Sequence, residues 1–246
     1  MYRYIILIIT LFCASAVTMT AAKKRNKQFS LGFGQVYVAP KIGINIPSHI
    51  GREADEIGFN DVASNGFSAG MEVLWMQNPQ VGVGGEFGFM TNPYKEQFWG
   101  NLLTRGSFEA DYKAYTAMGV GRLFIGEKRI KPMLGVGFGA CLINNSLDFV
   151  SKWQGTGNDE SVCYKTNIVN LAYAGEIGLL SNVGKKTFVS ISIRFNIIPR
   201  LKEIIKTTTD PYTFEERKIT LNPQGNENNI EIKLGVYIGV RDGIKK

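Results

Sequence analysis

Histidine is nearly missing from this chain. His49 is the single one among 246 residues, and only three cysteines accompany it. Imidazole–thiolate metal centres need a cluster of such donors, and none surrounds His49. No nucleophile elbow, phosphate loop or paired-cysteine motif occurs. The expectation is therefore no catalytic residue, no cofactor site and no metal site. After Ala22 there is no apolar run of 18 residues, so a membrane-spanning helix is not expected. A basic, aromatic-interleaved surface strand for nucleic acid is also lacking.

What is present begins with an apolar leader. Arg3 gives a weak positive start, and Tyr4 to Cys13 is an apolar run of the length of a secretory h-region. Small residues follow at Ala14-Ser15-Ala16 and at Thr20-Ala21-Ala22. The second is the favoured cleavage site, because basic Lys23-Lys24-Arg25 then opens the mature chain. Phe12 stands where a small residue is wanted before a lipidated cysteine, which argues against a lipoprotein at Cys13. The expected organisation is a signal peptide over 1–22 and one domain over 23–246.

That domain alternates apolar and polar residues in eight stretches: Phe33–Ile46, Gly66–Gln77, Val81–Met90, Phe108–Ile125, Ile130–Ile143, Thr166–Leu180, Thr187–Ile198 and Asn229–Val240. A period of two is the mark of a strand with two different faces. Three joins are short and rich in turn formers: Asn78-Pro79-Gln80, Gly126-Glu127-Lys128-Arg129, and Ser181 to Lys186. The other four run to about 17 to 30 residues, longer than compact soluble domains usually tolerate. Long and short joins alternate, which predicts an up-and-down meander with one elaborated end.

The two faces differ in kind. Ile191, Ile193, Phe195 and Ile197 oppose Ser190, Ser192, Arg194 and Asn196, and Val81, Val83, Phe87 and Phe89 oppose Gly82, Gly84, Glu86 and Gly88. Glycine and serine suit the crowded inside of a narrow barrel, and the large apolar residues suit lipid. A lipocalin-like soluble barrel would invert this assignment, but glycines are too small to line an apolar pocket. Phe67, Trp75, Phe89, Tyr112 and Phe124 fall towards strand ends, where interfacial aromatic girdles are expected.

The leader, the eight alternating strands, the three tight turns and the four long loops together resemble the small eight-stranded outer-membrane barrel family of Gram-negative bacteria, including OmpA-like and OmpX-like transmembrane domains. The fold the resemblance implies is all-β, an eight-stranded antiparallel up-and-down transmembrane β-barrel. The implied location is the outer membrane, with loops extracellular. One departure stands out. Family members often end on an aromatic residue that the assembly machinery reads, whereas here Val240 is followed by Arg241-Asp242-Gly243-Ile244-Lys245-Lys246.

Charge refines this expectation. The chain carries +7, and the side bearing the tight turns holds most of it. Twelve cations there (Lys23, Lys24, Arg25, Lys27, Lys128, Arg129, Lys131, Lys185, Lys186, Arg241, Lys245 and Lys246) face only Glu127 and Asp242, a net +10. Lys41, Glu72, Glu86, Glu176, Arg194, Glu231 and Lys233 fall on the inward face, where unpaired charge is costly, so an ion-pair network is expected. Glu72 and Glu86 are directly opposite across the turn at Pro79 and need a shared cationic side chain, a bound cation or a shared proton being the alternative. Arg194 ranks first for that role, ahead of Lys41, with Arg122 a third candidate. Parity puts Arg122 on the lipid face unless a bulge turns it inward. Cys141 and Cys163 flank one outer loop in an oxidising compartment and form a candidate disulfide.

The expected role is thus non-enzymatic: a plugged, charged lumen with long surface loops in a structural or adhesive envelope function. The alternatives are a narrow porin for small solutes, an accessory of an envelope secretion or assembly machine, and a rim enzyme using His49 with Ser48, Asp55 and Asp61. Expected partners are outer-membrane lipid and a surface ligand or envelope protein, with the barrel itself a monomer.

Overall fold

The computed structural model describes residues 31–32, 34–48, 63–95, 109–126, 128–152, 159–184, 186–199, 204–209, 216–221 and 228–241. The leader, His49, Asp55 and Asp61 lie outside them. Ten strands are formed: β1 (Val36–Pro47), β2 (Gly66–Met76), β3 (Val81–Thr91), β4 (Glu109–Phe124), β5 (Ile130–Lys152), β6 (Asp159–Asn182), β7 (Thr187–Ile197), β8 (Ile204–Thr209), β9 (Glu216–Leu221) and β10 (Asn229–Arg241).

Eight of them close a barrel. Each of β1 to β7 pairs with its sequence neighbour, β7 pairs with β10, and β10 pairs back to β1, every contact antiparallel. The tight turns are built locally. Asn78 Oδ1 accepts from the backbone N–H of Gln80 and of Val81, each at 2.8 Å, an Asx turn that fixes the β2–β3 hairpin. Gly126, at φ 83°, supplies the left-handed residue of the β4–β5 turn. Antiparallel order then sends every tight turn to one rim and every longer connection to the other.

Three features differ from the sequence reading. First, β5 and β6 run well past Ile143 and Thr166. They pair without a break from Ile130↔Ser181 to Lys152↔Asp159, so the presumed loop is mostly ladder. Lys113 of β4, opposite the last residue of β3, pairs with Asn144; from Asn144 to Lys152 is about 27 Å along the strand. Second, the stretch Pro199 to Asn228, read as one long loop, contains a hairpin. Its β8 pairs with the raised part of β6, Ser161↔Thr209 to Lys165↔Ile205, and β9 pairs with β8. A sheet therefore stands above the barrel, ending in β9. Third, β4 faces the other way from the expectation. Tyr112, Ala114, Met118, Val120, Arg122 and Phe124 are buried inside, and Tyr115 and Leu123 point out with Ala117, Gly119 and Gly121 between them. Tyr112 and Phe124 are thus interior residues, while Phe67 and Trp75 are outward and about half exposed.

Candidate functional site in the barrel interior

The interior is filled in three layers. At the tight-turn end Tyr37, Leu74, Met76, Phe124, Met133, Leu180, Phe188 and Tyr237 form one apolar cluster, joined by Leu31 from the segment before β1. At the other end Met90, Tyr112, Met118, Val120, Cys141, Ile143 and Ile198 form a second. Between them sits a layer of charge.

That layer has four cations and four carboxylates. Lys41 Nζ lies 2.6 Å from Glu72, 2.9 Å from Glu86 and 3.9 Å from Glu176. Arg122 reaches the same three: Nη2 is 2.6 Å from Glu72 and 3.0 Å from Glu86, and Nη1 is 2.8 Å from Glu176. Arg194 pairs with Glu86 and approaches Glu231 at 3.8 Å. Lys233 bridges Glu86 at 3.2 Å and Glu231 at 3.1 Å. Neutral groups complete the shell: Tyr237 donates to Glu72 at 3.2 Å, and Asn196 Nδ2 donates to Glu231 at 2.7 Å. All eight ionic side chains are at most 5% exposed. The group is electrically neutral as a whole, which is how so many charges can be buried together.

All seven inward charges read from the sequence are in this network, and Arg122 is the eighth. Glu72 and Glu86 are direct cross-strand partners, as expected. Their shared cations are Lys41 and Arg122, however, and not Arg194, which reaches only Glu86 of the two. A signal for Arg122 was available. Its cross-strand neighbours are Gly82 and Gly135; the alternation of β3 already put Gly82 inside, and directly paired residues share a face. Those glycines leave the space: a Cβ at Gly135 would overlap Arg122 Nη1. Lys131, counted with the tight-turn charges, is buried inside the barrel.

The proposed disulfide does not fit the ladder. Cys141 is opposite Asn170 and Cys163 is opposite Asp148. The two cysteines are thus offset by seven residues along β6, about 23 Å, where a disulfide needs Cα atoms within about 7 Å. Among the described residues no group of three or more His, Cys, Asp or Glu is arranged to hold a metal. Ser48 is buried, and its N–H donates to the carbonyl of Asn228.

The chain matches no protein-family model and no curated protein. Among solved structures it is similar to Neisserial surface protein A, with 14% identity over 85% of this chain and 99% of that one and a TM-score of 0.48. It is similar to the outer membrane protein OprG from Pseudomonas aeruginosa, with 11% identity, 86% and 99% coverage and a TM-score of 0.49. A third is a major outer membrane protein from Thermus thermophilus, with 10% identity, 82% and 98% coverage and a TM-score of 0.49. At such identities no residue's role passes from those proteins to this chain.

Proposed function

We propose that this chain is a non-enzymatic outer-membrane barrel protein whose interior is a structural plug and whose work is done by the sheet above the barrel. The observation that carries the reading is the inversion of inside and outside. Charge and amide groups fill the interior, and the wall is apolar. Phe87 is 68% exposed, Val136 63%, Val169 68% and Ile177 59%. A soluble protein would expose all of these to water, far beyond an ordinary apolar patch. On β10 the outward residues from Ile230 to Val240 are all apolar. At a tilt of about 45° those eleven residues rise roughly 23 Å, close to the height of a membrane barrel's apolar band. No helix among the described residues is long and apolar enough to cross a membrane; on this reading the crossing is made by strands.

The charge layer, capped by apolar clusters at both ends, argues against the narrow-porin alternative. The raised sheet supports a surface role instead. Among the described residues β9 is the last strand of the sheet, which leaves its outer edge for strand addition by a partner in the envelope or outside it.

Cell fractionation tests the membrane assignment. The protein is expected in the outer-membrane fraction, and unboiled it should migrate differently from boiled protein on a detergent gel. Release as a soluble periplasmic protein would overturn the reading. Replacing residues 204–221 with a short turn tests the surface role: the gel shift should persist while any surface binding by the wild type is lost.

A further inference from the structure

We propose that the tight-turn rim is a binding surface for anionic phospholipid headgroups. The inference rests on the membrane reading above and assigns that rim a ligand. Among the described residues its exposed cations are Lys128 and Arg129 in the β4–β5 turn and Lys186 in the β6–β7 turn. The β strands between the two turns bring them to one side of the barrel, and β10, next in order, ends there on Arg241. In the sequence the same β4–β5 turn carries one carboxylate, Glu127, which the cations of the two turns outnumber.

What selects a lipid headgroup over a soluble acidic partner is height. Two of the cations lie near the outward apolar residues that end the wall at these turns. Arg129 precedes Ile130, which is 56% exposed, and Lys186 sits three residues from Val183, also 56% exposed. The cations are therefore at the edge of the apolar band, where phosphates are, and not out in the aqueous compartment. The side chain of Arg129 and the backbone of Lys186 are also held in place. Arg129 Nε donates to the carbonyl of Asn182 at 3.2 Å, tying the β4–β5 turn to the end of β6. The carbonyl of Lys186 accepts from Gly239 N–H at 2.8 Å, folding the β6–β7 turn onto β10. A fixed row of cations at phosphate depth favours lipids carrying net negative charge, by about fivefold for each cation near the surface.

The test is lipid selectivity at the barrel boundary. The folded protein is placed in phosphatidylcholine bilayers, and electron paramagnetic resonance compares spin-labelled phosphatidylglycerol with spin-labelled phosphatidylcholine. The wild type is expected to prefer phosphatidylglycerol by about fivefold or more at low salt, by the same estimate. The preference should fall severalfold in the variant Lys128→Gln/Arg129→Gln/Lys186→Gln, and it should survive in Lys128→Arg/Arg129→Lys/Lys186→Arg. No preference in the wild type, or an undiminished preference in the glutamine variant, overturns the proposal. If the glutamine variant does not fold, the wild type decides by salt: a preference undiminished at about 1 M, where screening is nearly complete, also overturns it. Failure to enter the bilayer would overturn the membrane reading and this proposal with it.

Discussion

Arg122→Met is the sharpest perturbation of the interior. Arg122 touches three carboxylates, Glu72 at 2.6 Å, Glu86 at 3.0 Å and Glu176 at 2.8 Å. Methionine fills much of the volume but leaves the layer with three cations against four carboxylates. Glu176 is left worst off, because its remaining cation within pairing distance is Lys41 at 3.9 Å. Breaking a buried ion pair from one side costs about 3–5 kcal/mol, because the surviving charge stays buried. The same logic fixes the rescue. Glu176→Gln removes the stranded charge, so Arg122→Met/Glu176→Gln should recover roughly 1–3 kcal/mol relative to additivity. Glu231→Gln also restores the overall count, but Glu231 pairs with Arg194 and Lys233. Combined with Arg122→Met it should not rescue. The assay is equilibrium urea unfolding of the barrel in lipid vesicles, followed by gel mobility and by tryptophan fluorescence. A cost for Arg122→Met below about 1 kcal/mol, or equal rescue by Glu176→Gln and Glu231→Gln, would refute a network organised by local pairs.

Three more outcomes follow from the same geometry. Gly135→Ala should destabilise the barrel by about 1–3 kcal/mol, because the added methyl displaces the Arg122 guanidinium and sits 3.2 Å from Glu176 Cβ; Gly175→Ala, with nothing within 4 Å, is the neutral control in the same unfolding assay. Phe87→Arg, on the outward face, should cost about 2–4 kcal/mol in bilayers; an unchanged unfolding midpoint would mean that this wall does not face lipid. An epitope inserted between β9 and β10 should bind antibody on intact cells, and one in the β4–β5 turn should bind only after the outer membrane is opened; the reverse pattern would mean that the barrel is inverted.

The barrel was legible in sequence because strand faces have a period of two and the joins alternate in length. On β7, Ile191, Ile193 and Ile197 against Ser190, Arg194 and Asn196 leave no ambiguity, and the structure places them as read. β4 misled because both its faces are mixed. Its outward side carries Ala117, Gly119 and Gly121, while Met118, Val120 and Phe124 pack inside, so apolarity alone chose the wrong face. Cross-strand pairing with glycine would have corrected it. The raised sheet was hidden because Asn144-Asn145-Ser146 has the composition of a loop and continues as ladder only through its partners β4 and β6. Inward charge was readable from parity. Which charges meet was not, because reach across the lumen depends on how the strands stagger around the barrel, and parity carries no record of that.

The central claim is that the interior is closed by a neutral charge layer between two apolar clusters. Planar-bilayer conductance tests it most directly. The folded wild-type protein is predicted to give no steady channel across a range of voltages. A stable, ohmic conductance from the monomeric barrel would contradict the account.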